Sequence, residues 1–354
     1  MPETRYKDSV DPIVTDGRDI DPNAGSLVGE AASQKSDGSS DIHLQETLHG
    51  RENSANTSAD DPTYYDRPML QKPVWEVDIP VYYYIGGLTG ASLALASAVQ
   101  LDDSEAANKL VRRAHMIAIG GATISGALLI HDLGRPERFL NMLRVFRPTS
   151  PMNVGAWILT SVAPLATASL LFRGRSGLLG ALGEGLGFGA GVAGLGLATY
   201  TGVLVSNSAV PVWQASRHVL PILFGASAMA SAGGIFALFP DDSAQRFAAC
   251  FGMAGRIAEL AASQVMERQV SAVPSVGRPL REGRSGFYWK AAGVLTAASI
   301  VASLLPGRSR GKRIAAGLLA NLGSLSLRLA IHTAGEASAL DARASFHQQR
   351  AAQR

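Results

Sequence analysis

The sequence predicts an all-α membrane protein, a polytopic bundle of about eight transmembrane helices behind a disordered polar N-terminal tail. Three observations carry that expectation. Only 17% of the residues are charged against 47% hydrophobic, where a soluble domain carries about 25% charge. The apolar residues are segregated: residues 1–72 are rich in Asp, Ser, Glu and Asn and poor in branched apolar side chains. Residues 73–336 then divide into apolar runs of the length, about 20 residues, that a hydrocarbon core of roughly 30 Å requires.

The tail cannot bury enough apolar surface to offset the entropy of ordering it, so it is expected to remain disordered. Apolar spans are expected at about residues 79–101, 113–131, 153–172, 185–206, 218–239, 244–265, 288–305 and 313–332. Helix-stopping or charged residues separate them: Asp102-Asp103, the segment from Asp132 to Pro151, Arg173-Gly174-Arg175, Pro211, Pro240-Asp241-Asp242 and Pro306-Gly307. The sixth run contains Arg246, Arg256 and Glu259 and reads either as a span or as a long interfacial helix. Arg256 and Glu259 stand three apart, and the plain reading is that they neutralise each other. Residues 337–354 read as a polar C-terminal tail. The chain opens without a basic-then-apolar leader, so the first span is expected to direct insertion. One cysteine, Cys250, excludes a disulfide framework and a cysteine-ligated cluster or zinc site within the chain. Basic residues are spread similarly over the loops of both sides, so the positive-inside rule assigns no orientation.

Small residues mark where helices meet. Gly86, Gly87 and Gly90 in the first span, and the glycines from Gly185 to Gly196 in the fourth, are expected at close helix contacts. The alternative is that some of them leave room for a flat ring. None follows a strand, so no dinucleotide or phosphate loop is implied.

Polar residues gather at one side. With eight spans, odd spans start and even spans end on the same face, side A. Asp78 and Tyr82 open the first span, His131 and Asp132 close the second, and Asn153 opens the third. Tyr200 lies about two turns from the end of the fourth, Arg217 and His218 open the fifth, and Arg328, His332 and Glu336 close the eighth. An ionisable residue inside a membrane is costly and by default marks function. Asp78 and Tyr82 are four apart and share a helix face, and Arg328, His332 and Glu336 form a stripe. A carboxylate, a phenol and an imidazole in one pocket suit a ligand that takes up two protons, such as a quinone. Plainer readings stand beside this one: Asp78 as a cap of the first helix, Tyr82 as an interfacial aromatic like Tyr83 and Tyr84, His332 as a solvated helix end. The membrane histidines, His115, His131, His218 and His332, offer no facing mid-membrane pair, so haem is not expected.

The loop after the second span reads His131-Asp132-Leu133-Gly134-Arg135-Pro136-Glu137-Arg138-Phe139 and continues through Ser150-Pro151-Met152-Asn153-Val154-Gly155-Ala156-Trp157. Together with Gly86-Gly87-Leu88-Thr89-Gly90-Ala91, Tyr200-Thr201-Gly202-Val203-Leu204, Pro211-Val212-Trp213 and Leu220-Pro221-Ile222-Leu223-Phe224, it resembles the polysulfide reductase NrfD family over about residues 73–335. The resemblance implies an eight-helix subunit of a bacterial cell (inner) membrane. Such a subunit exchanges electrons between menaquinone or ubiquinone and a four-cluster, ferredoxin-like iron–sulfur subunit, which serves a molybdopterin or cytochrome catalytic subunit. It also implies a quinone site made of an Asn and a His early in helix one and a Tyr in helix four. Counted back from the glycine pair, those positions fall near Asp78 and on Tyr82, with Tyr200 as the helix-four tyrosine. Asp for Asn and Tyr for His keep hydrogen bonding but change the proton chemistry.

The expected assignment is therefore quinone contact by Asp78, Tyr82 and Tyr200, and proton transfer by His131, Asp132, Arg328, His332 and Glu336. Arg135, Arg138, Arg144 and Arg147 are expected to dock the iron–sulfur subunit, with Arg135 keeping Asp132 charged and Pro136, Pro148 and Pro151 stiffening the loop. The arginines read alternatively as anchors for lipid headgroups. No haem, iron–sulfur cluster or other metal is expected in this chain, and no nucleic-acid partner. Rival classes are a proton-coupled secondary transporter or channel and a plain anchor without ligand.

Overall fold

Serine and proline start the helices close to the breaks in the apolar pattern. A computed structural model describes residues 68–102, 104–240, 245–307 and 309–352. The tail up to residue 67, and Asp103, Asp241 and Asp242 among the expected breaks, lie outside the described residues. Among those described, the chain forms α1 (Asp78–Val99), α2 (Glu105–Asp132), α3 (Pro136–Met142), α4 (Pro151–Phe172), α5 (Leu178–Ser206) and α6 (Pro211–Ala215). It continues with α7 (Leu220–Phe236), α8 (Gln245–Ser271), α9 (Pro274–Gly277), α10 (Gly283–Leu304), α11 (Arg310–Leu340) and α12 (Ala342–Ala352). The hydroxyl of Ser104 accepts from the Ala107 amide at 3.2 Å to cap α2. Ser150 accepts from the Asn153 amide at 3.4 Å at α4, and Ser309 from the Lys312 amide at 3.3 Å at α11. Each cap satisfies a donor that the helix leaves orphaned. Proline in the first turn of α3, α4, α6 and α7 removes a donor that has no partner there.

Six of these helices, α1, α2, α4, α5, α10 and α11, are long and apolar enough to cross a membrane. The chain is a multi-pass membrane protein. α7 is apolar but only 17 residues long, and the 27-residue α8 carries the charges that set its sequence apart. These eight helices correspond in order to the eight expected spans, but several are longer. α2 begins at Glu105, α5 at Leu178, and α8 runs on to Ser271. An apolar run marks only the part of a helix inside hydrocarbon, while backbone hydrogen bonding continues into polar turns such as the Glu105–Lys109 pair at 2.7 Å. For the same reason α11 passes the boundary expected at 336 and is followed by α12. The segment between Asp132 and Pro151 contains a helix, α3, rather than loop alone.

α1 lies at the centre, packed on α2, α5, α7 and α11. The apolar window of α1 is 72% buried and that of the peripheral α10 is 17% buried. In lipid, helix pairing gains little from the hydrophobic effect, so close van der Waals packing of small residues carries it. A Cβ on Gly90 would collide with the Gly194 carbonyl and lie 2.7 Å from the Ala198 nitrogen, and one on Gly194 would lie 2.6 Å from the Gly90 carbonyl. α7 crosses α8 in the same way at Gly233 and Gly252, where a Cβ on Gly252 would lie 2.7 Å from the Gly233 Cα. The α5 glycines divide by face: Gly187, Gly191 and Gly194 are tightly packed, whereas Gly185 has nothing within 4 Å. Room for a flat ring also exists, but the protein fills it itself. Gly155 lies against the ring of Tyr200 and Gly335 against that of Trp213.

Gly194→Leu should therefore destabilise the protein by about 1–3 kcal/mol or more, as overpacking does, and lower its thermal midpoint in detergent. Gly185→Leu should leave the midpoint unchanged. Equal midpoints for the two variants would contradict the α1–α5 contact.

Candidate functional site

The first turn of α1 and the last turn of α2 end at the same face, and their side chains meet there. Asp78 Oδ2 and His131 Nδ1 are 2.6 Å apart. Asp78 is thus not a cap: α1 has no side-chain cap, and the carboxylate reaches across to α2. His131 is exposed and Asp78 is partly covered, with side-chain exposures of 79% and 29%. The neighbouring Asp132 accepts a hydrogen bond from the Glu76 amide, and its charged neighbours are Asp78, Glu76 and His332. Among the described residues no ion pair joins Arg135 to Asp132. The Leu133-Gly134 turn separates them, with Gly134 at a φ of 68°, and Arg135 is the residue before Pro136 of α3.

His332 is buried, not a solvated helix end. Its Nε2 is 3.3 Å from the Trp75 carbonyl and 3.8 Å from Glu336 Oε1, and Glu336 pairs with Lys72 at 3.2 Å. The segment before α1 thereby supplies Lys72, Trp75 and Glu76 to this rim. It is fastened by Trp75, whose ring stacks on Trp213 with centroids 6.1 Å apart. Trp213 in turn donates from Nε1 to the Ile331 carbonyl at 2.8 Å.

Beneath the rim, the phenols of Tyr82 on α1 and Tyr200 on α5 are hydrogen-bonded to each other. The close α1–α5 approach brings them into register, and Gly155 on α4 leaves space for the Tyr200 ring. Tyr82 and Tyr83 are each 1% exposed, so neither is an interfacial belt aromatic. Tyr84 is half-buried and donates to Asn321 Oδ1 at 2.6 Å. The Tyr83 ring packs 5.9 Å from that of Phe224, and its buried hydroxyl has no hydrogen-bond partner. Arg328 is also buried. Its guanidinium lies 3.7 Å above the Phe224 ring and donates from Nη2 to the Phe224 carbonyl at 2.8 Å. Its Nε and Nη1 have no partner.

The structure thus brings Asp78, His131, Asp132, His332 and Glu336 to one rim, with the Tyr82–Tyr200 pair below it and Arg328 buried beside Tyr83. Two hydrogen-bonded phenols can present an O–H to a ligand carbonyl, and an imidazole–carboxylate pair open to water can pass a proton to or from it. Other residues of the expected cluster have different tasks. Asn153 ties the loop ahead of α4: its Oδ1 accepts from the Arg147 amide at 2.6 Å and its Nδ2 donates to the carbonyls of Met142 and Val145. Arg217 and His218 are exposed and bonded to each other at 3.1 Å. Arg135, Arg138, Arg144 and Arg147 are all exposed, and Arg138 donates to the Leu133 carbonyl at 3.1 Å.

Sequence reasoning missed the inward position of Tyr83, because three consecutive tyrosines point in three directions on a helix and no apolar pattern ranks them. Arg256 and Glu259 act on each other through space and are not directly bonded. Arg256 donates to Ser299 and Ser303, while Glu259 accepts from Thr296 and Ser324.

Among known families, the profile described as polysulphide reductase, NrfD, matches residues 67–273, more than half of the chain. No curated protein matches it.

Tyr82→Phe should leave the Tyr200 hydroxyl buried and unpaired, costing about 1–3 kcal/mol, while Tyr84→Phe, at a half-buried position, should cost less. Thermal unfolding of the purified variants checks the order, and a reversed order would contradict the buried phenol pair.

Proposed function

Because the chain belongs to the polysulphide reductase NrfD family, whose members are membrane subunits of quinone-interacting respiratory oxidoreductase complexes, we propose that it passes electrons between the quinone pool of a bacterial inner membrane and an iron–sulfur partner subunit. The observation that carries this reading is the Tyr82–Tyr200 phenol pair set just below the Asp78–His131 pair. A quinol becoming a quinone gives up two electrons and two protons. Tyr82 and Tyr200 hold the ligand oxygen by hydrogen bonding, and Asp78 and His131 exchange the proton with water at the rim. Asp132, His332 and Glu336 extend that exchange toward Lys72. The same residues run the sequence backward for quinone reduction.

The partner is expected to dock on side A. Arg135, Arg138, Arg144 and Arg147 form a positive rim opposed locally by Glu137 and Asp132, and rim charge steers association and fixes register more than it adds affinity. α3 and the three hydrogen bonds of Asn153 give this platform a defined shape, as a fixed distance between quinone and cluster requires. A molybdopterin or cytochrome catalytic subunit would complete the complex.

Electron transfer from quinol, measured in membranes holding the assembled complex, tests the site. Tyr82→Phe and Tyr200→Phe should each lower turnover by about 10²-fold, the lower end of what a positioned proton-transfer group contributes. The double change of Arg135 and Arg138 to Ala should abolish copurification of the iron–sulfur subunit while leaving membrane insertion intact. Unchanged turnover in both tyrosine variants would overturn the site, and unchanged recovery of the partner would overturn the platform.

A further inference from the structure

A second buried polar group lies deeper in the bundle, away from the phenol pair. Glu259 on α8 is 2% exposed. Its Oε1 accepts from the Thr296 hydroxyl of α10 at 2.6 Å and its Oε2 from the Ser324 hydroxyl of α11 at 3.2 Å. Ser324 opens a stripe on α11 that continues through Arg328, His332 and Glu336, each four residues further on and so on one face. Twelve residues at 1.5 Å each set the ends of that stripe about 18 Å apart, more than half of a hydrocarbon core of roughly 30 Å. Its outer end, Glu336, is paired with the exposed Lys72, while its inner end lies against Glu259.

Two charged groups face Glu259: Arg256 from its own helix and Arg328 from α11. Neither closes on the carboxylate. Arg256 is bonded to the Gly252 carbonyl, Ser299 and Ser303. Arg328 is bonded to the Phe224 carbonyl, and its Nε and Nη1, like the Tyr83 hydroxyl, are buried without an acceptor. A structural ion pair in lipid closes, because unpaired buried donors are costly. Here a carboxylate is held by the neutral hydroxyls of Thr296 and Ser324, with the Ser227 side chain also acting on it, and with open donors between it and the rim, so that a proton or water has somewhere to go.

We propose that Glu259 is a proton-loading site inside the membrane, exchanging its proton with water at side A along the α11 stripe. Loading forms one carboxyl O–H bond and breaks one O–H bond of a hydrated proton at the rim; release reverses both. No electron moves, and no quinone is needed, so the site is tested without one and stands or falls apart from the quinone reading.

Infrared difference spectroscopy of the full-length protein in lipid, recorded between acid and alkaline buffer, reads the carboxyl directly. A carboxylic C=O band should appear in acid, be absent in Glu259→Gln, and shift when the film is moved into D2O. In His332→Leu, which cuts the stripe, that isotopic shift should slow by at least about tenfold, as loss of a positioned proton carrier does. Labelling of the wild-type protein by the apolar reagent dicyclohexylcarbodiimide needs no variant, since only a protonated carboxyl adds to it. An adduct on Glu259 supports the proposal. Absence of both a Glu259-dependent band and an adduct would mean a permanently ionised structural carboxylate, and an unslowed shift in His332→Leu would mean another route. Either result overturns it.

Discussion

The contact of α1 with α5 at Gly90 and Gly194 sets the separation on which the site depends. One more carbon on either residue would push against backbone, so the helices sit as near as their main chains permit. That spacing lets the Tyr82 phenol reach the Tyr200 phenol, and it fixes the depth of α1 against its neighbours. With α1 placed, Asp78 at its start meets His131 at the end of α2, and the segment before it is drawn across α11 to His332 and Glu336. Gly155 then lets α4 close behind the Tyr200 ring. Lipid gives helices no apolar incentive to associate, so a position built this way rests on shape.

The interior polar groups have a different logic. Arg328, His332 and Tyr83 are buried and incompletely paired, and Glu259 is buried on hydroxyl donors without a closed ion pair; a partly satisfied network is the costly kind. Replacing such groups with apolar residues would pack a more stable bundle. Arg328 reduces its cost by stacking on Phe224, and His332 by approaching the Trp75 carbonyl. The atoms that stay open on Arg328 and His332 lie on one face of α11, between the middle of the bundle and the rim. Other buried groups, on helices other than α11, are also without a partner, among them the His115 Nε2 and the hydroxyls of Thr89, Ser125 and Thr201.

Much of the architecture was legible in the sequence because lipid imposes a length. Apolar runs near 20 residues placed the eight long helices in order, and proline and serine marked their starts. Helix ends were less legible, since α2 and α11 continue into polar turns that hydropathy does not count, and α5 starts earlier through the apolar run Leu178 to Gly183. The i,i+4 spacing of Asp78 and Tyr82 correctly put both on a face turned toward polar partners. Spacing along one helix did not give the hydrogen-bond partners of Arg256 and Glu259, which come from α10 and α11. It also said nothing of Trp75, whose stacking on Trp213 joins residues far apart in the chain. Neighbours within a helix follow from periodicity, whereas neighbours across helices follow from packing, which this sequence encodes in glycines of two kinds, tight and open.

The proposed contact of a quinone with Tyr82 and Tyr200 is central, and photoaffinity labelling addresses it directly. The full-length protein in lipid would be irradiated with an azido-quinone, digested, and its modified peptides identified by mass spectrometry. The account predicts labelling on the first turns of α1 or the last turns of α5, suppressed by excess unlabelled quinone and lost when the α1–α5 contact is forced apart by Gly194→Leu. Labelling confined to other helices, or labelling that excess quinone does not suppress, would contradict it.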